Sequence, residues 1–309
     1  MTAMTLIEAA KLAAENPLKQ GIIELYAGSS SILTSLPFIG IQGNAYKYNR
    51  EGSLPGVGFR GVNESYTASN GVINPITEAL VIAGGEVDVD KFIVATQGNS
   101  ARATHEAMKV RALSLAWTRK FIKGDTASDA REFDGLQTRI TGSQVQSAGT
   151  TANGAALSLY KLDKAIDQTL NPTHMIMNKT MRRRLTQAAR TSSVGGYITM
   201  GKNELGQQVH SYNDLPILEV DLDNTQTEIL GFTEAADSGT ATATSIYIVS
   251  MGDDGVAGLQ NGGIEVNDLG EIQASPLYRT RIEWYNGLAV FNGRSATRLK
   301  FIGDLAVVA

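Results

Sequence analysis

The clearest regular pattern along the chain is a helical stripe of apolar side chains in its first half. The stripe repeats every three or four residues and consists of Val110, Leu113, Trp117 and Phe121. Side chains at this spacing share one face of an α-helix, so the pattern predicts a helix over residues 101–123 that packs this face into a core. Gly124 follows directly, and glycine commonly ends helices.

Strand patterns flank this helix on both sides. The strongest lies near the end of the chain, where Tyr278, Thr280, Ile282 and Trp284 alternate with Arg279, Arg281 and Glu283. Alternation with a period of two predicts a strand with one buried and one exposed face. A similar alternation over residues 79–89 predicts a strand before the helix, and the apolar run "TSIYIVS" predicts another in the second half.

The segment "YKYNREGSLPGVGFRGVNESYTASNG" has a different character, because it is polar and rich in glycine. Its parts "AYKYNR" and "GFRGVNESYT" predict the two strands of a long hairpin with an irregular tip. A loop this long is typical of a functional element or of contacts outside the domain. The short helices predicted before it have apolar faces but no core of their own, so we expect an arm that buries little within its own chain.

The composition of the chain excludes several kinds of catalytic and metal-binding site. The 309 residues carry a net charge of −4, contain no cysteine and include only His105, His174 and His210 as histidines. Disulfides, thiolate nucleophiles and cysteine-ligated metals are therefore excluded, and no two histidines have the spacing of a metal site. No signal peptide and no stretch of about 18 apolar residues is present, so no membrane partner is expected.

Three motifs suggest a ligand-binding or catalytic site, and each is better explained as a loop or turn. "GVGFRG" at 56–61 lacks the preceding strand and following helix of a dinucleotide site. "GYITMGKN" at 196–203 resembles a phosphate-binding loop, but Asn203 replaces the hydroxyl that would bind Mg²⁺. The acids of "GDTASDAREFD" after the long helix are surrounded by polar residues, which favours a solvated turn over an acid–base pair. We expect no catalytic residue, no metal and no cofactor.

Charge is nevertheless segregated along the chain. The long helix carries an excess of basic residues, and "KTMRRRLTQAAR" is a second basic segment. A solvated helix face is the default explanation of the second segment, and contact with an acidic neighbour or nucleic acid is the alternative.

The helix end, the acids after it and the order of the elements together carry a resemblance. "FIKGD" followed by "EFDGL" resembles the end of the spine helix in major capsid proteins of tailed bacteriophages. The resemblance implies an α+β chain with the HK97-like capsid fold, which encapsulins share. It implies an N-terminal arm at 1–40, an extended hairpin (the E-loop) at 41–75, a peripheral domain at 76–145 and 263–295 with spine helix 101–123, and an axial domain at 146–262 and 296–309. It also implies a long bent strand pair where "YNG" (285–287) alone predicts a tight turn.

The resemblance implies a structural role. The chain would assemble with itself into hexamers and pentamers of an icosahedral shell around double-stranded DNA, with scaffold, portal and decoration proteins as partners. It would be located in the virion after assembly in the bacterial cytoplasm. The alternatives are an encapsulin-type compartment shell and, from another class, a nucleotide-binding enzyme built on residues 196–202. No matching residues for an inter-subunit crosslink can be identified.

Two groups of residues are candidates for contacts in such a shell. The predicted assembly contacts on the hairpin are Tyr46, Lys47, Arg50, Phe59, Arg60 and Tyr66. The predicted DNA-facing residues on the long helix are Arg102, Lys109, Arg111, Arg119 and Lys120.

Overall fold

The computed structural model describes residues 3–8, 17–190, 198–202, 208–237, 239 and 241–308. Within these ranges the helices are α1 Pro17–Gly28, α2 Ser31–Ser35, α3 Lys91–Gln97, α4 Asn99–Lys123, α5 Leu136–Arg139, α6 Leu159–Gln168 and α7 Lys179–Ala189. The strands of the first half are β1 Phe38–Gly40, β2 Ala45–Ser53, β3 Val72–Ala79, β4 Val81–Asp90 and β5 Val145–Ser147. Those of the second half are β6 His174–Asn178, β7 Ile198–Lys202, β8 Gln208–Tyr212, β9 Leu215–Val220, β10 Glu234–Ala235, β11 Ala241–Val249, β12 Val256–Glu271, β13 Leu277–Val290 and β14 Ala296–Ile302.

The predicted long helix is present as α4, which we call the spine helix. It begins at Asn99, two residues earlier than predicted. Its stripe is buried at Val110, Trp117 and Phe121, whereas Leu113 is half-buried. The Trp117 ring lies 5.5 Å from the Phe121 ring and 5.8 Å from the Trp284 ring between centroids. The apolar spacing therefore identified the face that forms the centre of an aromatic core.

The N-terminal helices belong to the same core, so the prediction that they bury little within their own chain is wrong. Helix α1 packs along the spine helix, and its Tyr26 ring lies 5.3 Å from that of Trp284. The Ser114 hydroxyl donates to the Tyr26 carbonyl at 2.9 Å. Leu6 and Ile32 are also buried there. Their apolar faces pack on parts of the chain that lie far ahead in sequence, which a local pattern does not reveal.

A four-stranded sheet with the order β1-β12-β13-β4 packs against the spine helix. One face of β13 is buried through Thr280, Ile282 and Trp284. On the opposite face, Arg279 and Arg281 pair with acids of β4. The predicted alternation is confirmed. The tight turn predicted from "YNG" is wrong, because residues 285–287 lie within β13 and pair with β12. The long strand pair implied by the resemblance is what forms.

An eight-stranded sheet has the path β5-β14-β11-β6-β9-β8-β7, with β10 paired to β11. Its central strands β6 and β11 are buried on both faces over most of their length, which explains their unbroken apolar runs. Ile246 and Ile248 pack with helices α6 and α7, whereas Tyr247 and Val249 belong to the core of the spine helix.

Two glycines explain the motif after the spine helix. The amide of Gly135 donates to the Gly124 carbonyl at 2.9 Å, so the two backbones touch. A Cβ at Gly124 would lie 2.2 Å from the Phe133 carbonyl oxygen, and one at Gly135 would lie 2.5 Å from that of Lys120. Gly124 has a φ of −59°, so close approach, and not a left-handed conformation, requires glycine here. Phe133 and Leu136 then return the chain to the core.

Candidate assembly surface

The hairpin leaves the body at strands β2 and β3, which pair from Ala45↔Ala79 to Ser53↔Val72. The second strand predicted at "GFRGVNESYT" is wrong: those residues lie in the turn region, and the return strand begins at Val72. A glycine-rich polar segment carries no alternation that would fix its pairing register, which explains the error.

Aromatic side chains anchor the root of the hairpin. The Tyr48 ring lies 4.8 Å from the Phe291 ring, and the Tyr46 ring lies 6.3 Å from it. The Tyr48 hydroxyl donates to the Val290 carbonyl at 3.0 Å. Burial, with the Glu78 carboxylate beside it, raises the pKa of this hydroxyl. The root is therefore fixed to the four-stranded sheet.

A largely buried ion pair fixes the same root to the segment after the spine helix. Arg139 donates from Nη1 and Nη2 to the two carboxylate oxygens of Glu78, at 2.5 and 2.8 Å. Both side chains are about 15% exposed. The Arg139 Nε also donates to the Asp134 carbonyl at 2.6 Å. This contact connects strand β3 of the hairpin to the glycine junction.

The tip of the hairpin, residues 54–71, is exposed along its whole length. Its large apolar side chains are Leu54, Val57, Phe59, Val62 and Tyr66, of which Phe59 is fully exposed. The structure has neither strand nor helix within 54–71, so the arrangement needed for a dinucleotide site at "GVGFRG" is absent. A group of apolar side chains this exposed is typical of a contact surface.

The six predicted assembly residues divide between root and tip. Tyr46 and Arg50 are half-buried near the root, and Lys47 is exposed on β2. Phe59, Arg60 and Tyr66 lie in the tip, where the Arg60 guanidinium is 5.3 Å from the Tyr66 ring centroid. Their role in assembly stays a prediction.

A groove that the sequence did not suggest lies beside the root and has a volume of about 540 Å³. Its lining includes the aromatic side chains of Tyr46, Tyr48 and Phe291 and the acidic side chains of Glu51, Asp253 and Asp254. Asp253 and Asp254 belong to the turn between β11 and β12. No local pattern could have found this groove, because strands separated by about 200 residues form it.

Three of the six basic residues of the spine helix form ion pairs with other described residues. Arg102 contacts Glu106 at 3.1 Å and Asp268 at 2.5 Å. Arg119 contacts the buried Asp223 at 2.6 Å, and Lys120 pairs with Glu132. Lys109 and Arg111 have no ion-pair partner among the described residues, and Arg111 is exposed.

Asp223 shows how these contacts are stabilised. Its burial opposes ionisation, but hydrogen bonds from Thr225, Thr227 and Arg119 lower its pKa to about 2. Such a carboxylate stays charged at neutral pH and holds its arginine in place. Internal acids therefore balance the charges of Arg102, Arg119 and Lys120 on the spine helix.

The second basic segment forms helix α7, and three of its cations have partners. Lys179 pairs with Asp221, Arg182 with Glu219 at 3.2 Å and Arg184 with Asp304 at 2.8 Å. Arg183 is exposed. These pairings favour the interpretation as a helix face over a dedicated nucleic-acid surface.

The acids after the spine helix hold a turn together. The Asp125 carboxylate accepts from the Ala127 amide at 3.0 Å, and that of Asp134 accepts from the Thr126 amide at 2.8 Å. Among the described residues, no group of three or more acidic or histidine side chains is arranged to hold a metal ion. The interpretation as a solvated turn agrees with these contacts.

The phosphate-loop candidate at 196–203 lies partly outside the described residues. Its described part, Ile198–Lys202, is strand β7, paired with β8 in an antiparallel hairpin. A phosphate-binding loop would have to be a loop there, followed by a helix, so the described part contradicts the nucleotide-binding alternative. In the part of the chain with described structure, no helix is long and apolar enough to cross a membrane.

Comparisons with known proteins agree with this architecture. The family model for Major capsid protein GP7 matches residues 15–164, which is just under half of the chain. No curated protein sequence matches the chain. Solved structures similar to it include the holo-SrpI encapsulin complex from Synechococcus elongatus, at 15% identity over 90% of this chain and 89% of that one, with a TM-score of 0.64.

Two further solved structures are viral or virus-like. The capsid of the native GTA particle is 14% identical over 89% of this chain and 90% of that one, with a TM-score of 0.59. The structure from Microbacterium phage Oxtober96 is 11% identical over 89% and 91%, with a TM-score of 0.63. The predicted resemblance is confirmed, and the fold is the HK97-like capsid fold.

Proposed function

We propose that this chain is the structural subunit of an icosahedral viral capsid, which assembles with itself into hexamers and pentamers that enclose double-stranded DNA. The observation that carries the proposal is the hairpin tip, whose apolar side chains extend from an HK97-like body and are uncovered by their own chain. Burying such side chains stabilises an interface by about 1.5–3 kcal/mol each. The family description supports the same role.

The role is structural and needs no catalytic step. The acidic cluster that suggested chemistry in the sequence forms a hydrogen-bonded turn, as at Asp125 and Asp134. We also keep the predicted division into an N-terminal arm, E-loop, peripheral domain and axial domain as part of this proposal.

Contact with DNA would be weak and independent of sequence. Lys109 and Arg111 are the spine-helix candidates that have no ion pair among the described residues. Arg102, Arg119 and Lys120 would first have to leave their acids, so we give them a smaller part. Attraction of this kind depends on phosphate charge and falls steeply with salt.

Location and further partners follow from the same role. The subunit would assemble in the host cytoplasm and reside in the virion. Scaffold, portal and decoration proteins would be its partner proteins.

Electron microscopy of the purified chain tests the proposal. We expect closed particles of uniform size in negative stain, and a sedimentation coefficient far above that of a 32.9 kDa monomer. The chain should be tested alone and co-expressed with proteins encoded beside it, since assembly can require a scaffold. A compact monomer under both conditions would contradict the proposal.

An encapsulin-type shell is the second candidate, favoured by the similarity to the encapsulin complex. The contents of the particles distinguish the two functions. Particles purified from the native source should contain double-stranded DNA if they are capsids, and a protein cargo if they are compartments. The description of the matching family favours the capsid.

A further inference from the structure

We propose that the hairpin tip of one copy binds in the groove beside the hairpin root of the next copy, with Phe59 against the aromatic side chains of the groove and Arg60 against Asp253 and Asp254. This inference rests on the proposed function and identifies the two halves of one contact. We call these halves the tip, residues 54–71, and the root groove, lined by Tyr46, Tyr48, Glu51, Asp253, Asp254 and Phe291.

The groove has unused binding capacity of two kinds. Its aromatic side chains are only half-buried by contacts within the chain. Its acidic side chains, Glu51, Asp253 and Asp254, are exposed and form no ion pair among the described residues. Arg50 is the one cation among the lining residues, so the groove carries a net charge of −2. A partner that presents an aromatic ring next to a cation fits both groups of side chains.

The tip presents that combination. Arg60 is the single lysine or arginine within 54–71, and it follows Phe59, the most exposed large apolar side chain described. The carboxylate of Glu64, the single acid of the tip, already accepts from the Gly61 amide at 2.8 Å. The Arg60 guanidinium directs one N–H to the Glu64 carbonyl at 3.2 Å, and it has five to offer. The cation and the aromatic ring of the tip therefore complement the acidic and aromatic side chains of the groove.

The groove of the same copy is not the partner. Phe59 is fully exposed, so the tip does not fold back onto its own root. Contact between different patches of identical chains is heterologous: every copy gives one tip and receives one. Such contacts form a ring when the rotation between successive copies closes, and closed rings are the geometry that hexamers and pentamers require.

Cysteine trapping tests this contact, because the chain contains no cysteine of its own. Gly58 lies in the tip next to Phe59, and Gly252 precedes Asp253 of the root groove. A Cβ at either position would meet nothing within 4 Å. The double variant Gly58→Cys/Gly252→Cys therefore leaves Phe59, Arg60 and both aspartates intact. Diamide should oxidise the two thiols to a disulfide and itself be reduced to the hydrazide.

We expect assembled particles of the double variant to give a ladder of covalent oligomers on a non-reducing gel. Each single variant can form at most a dimer. The matched control is Gly58→Cys/Gly28→Cys, because Gly28 is equally open but does not line the groove. Particles that form without a ladder, or with an equal ladder in the control, would overturn the contact and leave the capsid function intact. Failure of the unsubstituted chain to assemble would instead contradict the proposed function.

Charge exchange provides an independent measurement. Arg60→Glu should raise the protein concentration at which particles form by about tenfold, and Asp253→Lys/Asp254→Lys should do the same. Combining the three changes should recover most of the loss. Arg183→Glu, at an exposed cation of helix α7 that belongs to neither the tip nor the groove, is the control and should have little effect. Equal behaviour of Arg60→Glu and Arg183→Glu would contradict the contact.

Discussion

The hairpin tip and the core of the spine helix use the same kinds of side chain in opposite ways. Phe121 is completely buried and stacks 5.5 Å from Trp117, whereas Phe59 is completely exposed. The core buries side chains from the beginning, middle and end of the chain, so it stabilises a subunit that can fold before it meets a neighbour. The tip contributes nothing to that core. Subunit stability and assembly are therefore assigned to different residues.

Replacing the tip is expected to have the largest effect, and only on assembly. Ser53 pairs with Val72, so an Asn-Gly turn can replace residues 54–71 and close the hairpin as a two-residue type I′ turn. We expect particles to disappear in negative stain, because the exposed apolar side chains are removed. The urea midpoint of the dissociated subunit should stay unchanged, because the tip packs on nothing in its own chain.

The control for this replacement keeps the length of the loop. A tip with Phe59→Ser and Val62→Ser removes two apolar side chains and should impair assembly less. Normal particles from the short-turn variant would show that the tip is dispensable, and a lower urea midpoint would show that it supports the fold.

Trp117→Ala, in the core, is expected to lower the stability of the subunit itself, in contrast to the replacement of the tip. Trp117 is 3% exposed, and its indole N–H donates to the Asn286 side chain at 3.0 Å. Truncation leaves a cavity and an unpaired buried amide, so we expect a loss of about 3–5 kcal/mol in the free energy of unfolding. Urea denaturation followed by circular dichroism of the dissociated subunit measures it.

Arg111→Ala on the same helix is the matched control, and it should change the unfolding free energy by less than about 0.5 kcal/mol because Arg111 is exposed. A loss below about 1 kcal/mol for Trp117→Ala would mean that the aromatic core does not stabilise the subunit as described.

The comparison of these regions also shows how far the sequence alone predicts the structure. Val110, Trp117 and Phe121 reveal their burial through spacing, because a helix repeats locally. The turn predicted from "YNG" was wrong for the opposite reason, because contacts distant in sequence decide the structure there. Asn286 is held in β13 by pairing with β12 and by the hydrogen bond from Trp117. The local turn preference of Asn-Gly is worth less than those contacts.

The candidate surface was predicted in part for similar reasons. The composition of 54–71 marks a long polar segment without regular structure, so Phe59 and Arg60 could be named as candidate contacts. The root groove was missed because Asp253 and Phe291 come together only through the folding of β12 and β13. The ion pair of Arg119 was also missed, because no pattern near Arg119 shows that Asp223 will lie beside it.

The smallest effect is expected at the contact that joins the two regions. Arg139 and Glu78 connect the hairpin root to the glycine junction, and each is about 15% exposed. Arg139→Met leaves the Glu78 carboxylate largely buried without its cation, so we expect a loss of about 3 kcal/mol, at the lower end for a buried pair. Urea denaturation of the dissociated subunit gives this value.

A double variant separates the effect of the two charges from the effect of the volume that their side chains fill. Glu78→Leu with Arg139→Met replaces both charges by apolar side chains, and it should recover most of the loss, since no charge stays unpaired. Its particles should nevertheless form less efficiently than those of the unsubstituted chain, because the bidentate geometry that orients the hairpin is absent. Full stability together with normal particle yield would show that the ion pair orients nothing. The tip would then owe its position to the aromatic contacts of Tyr48 and Phe291 alone.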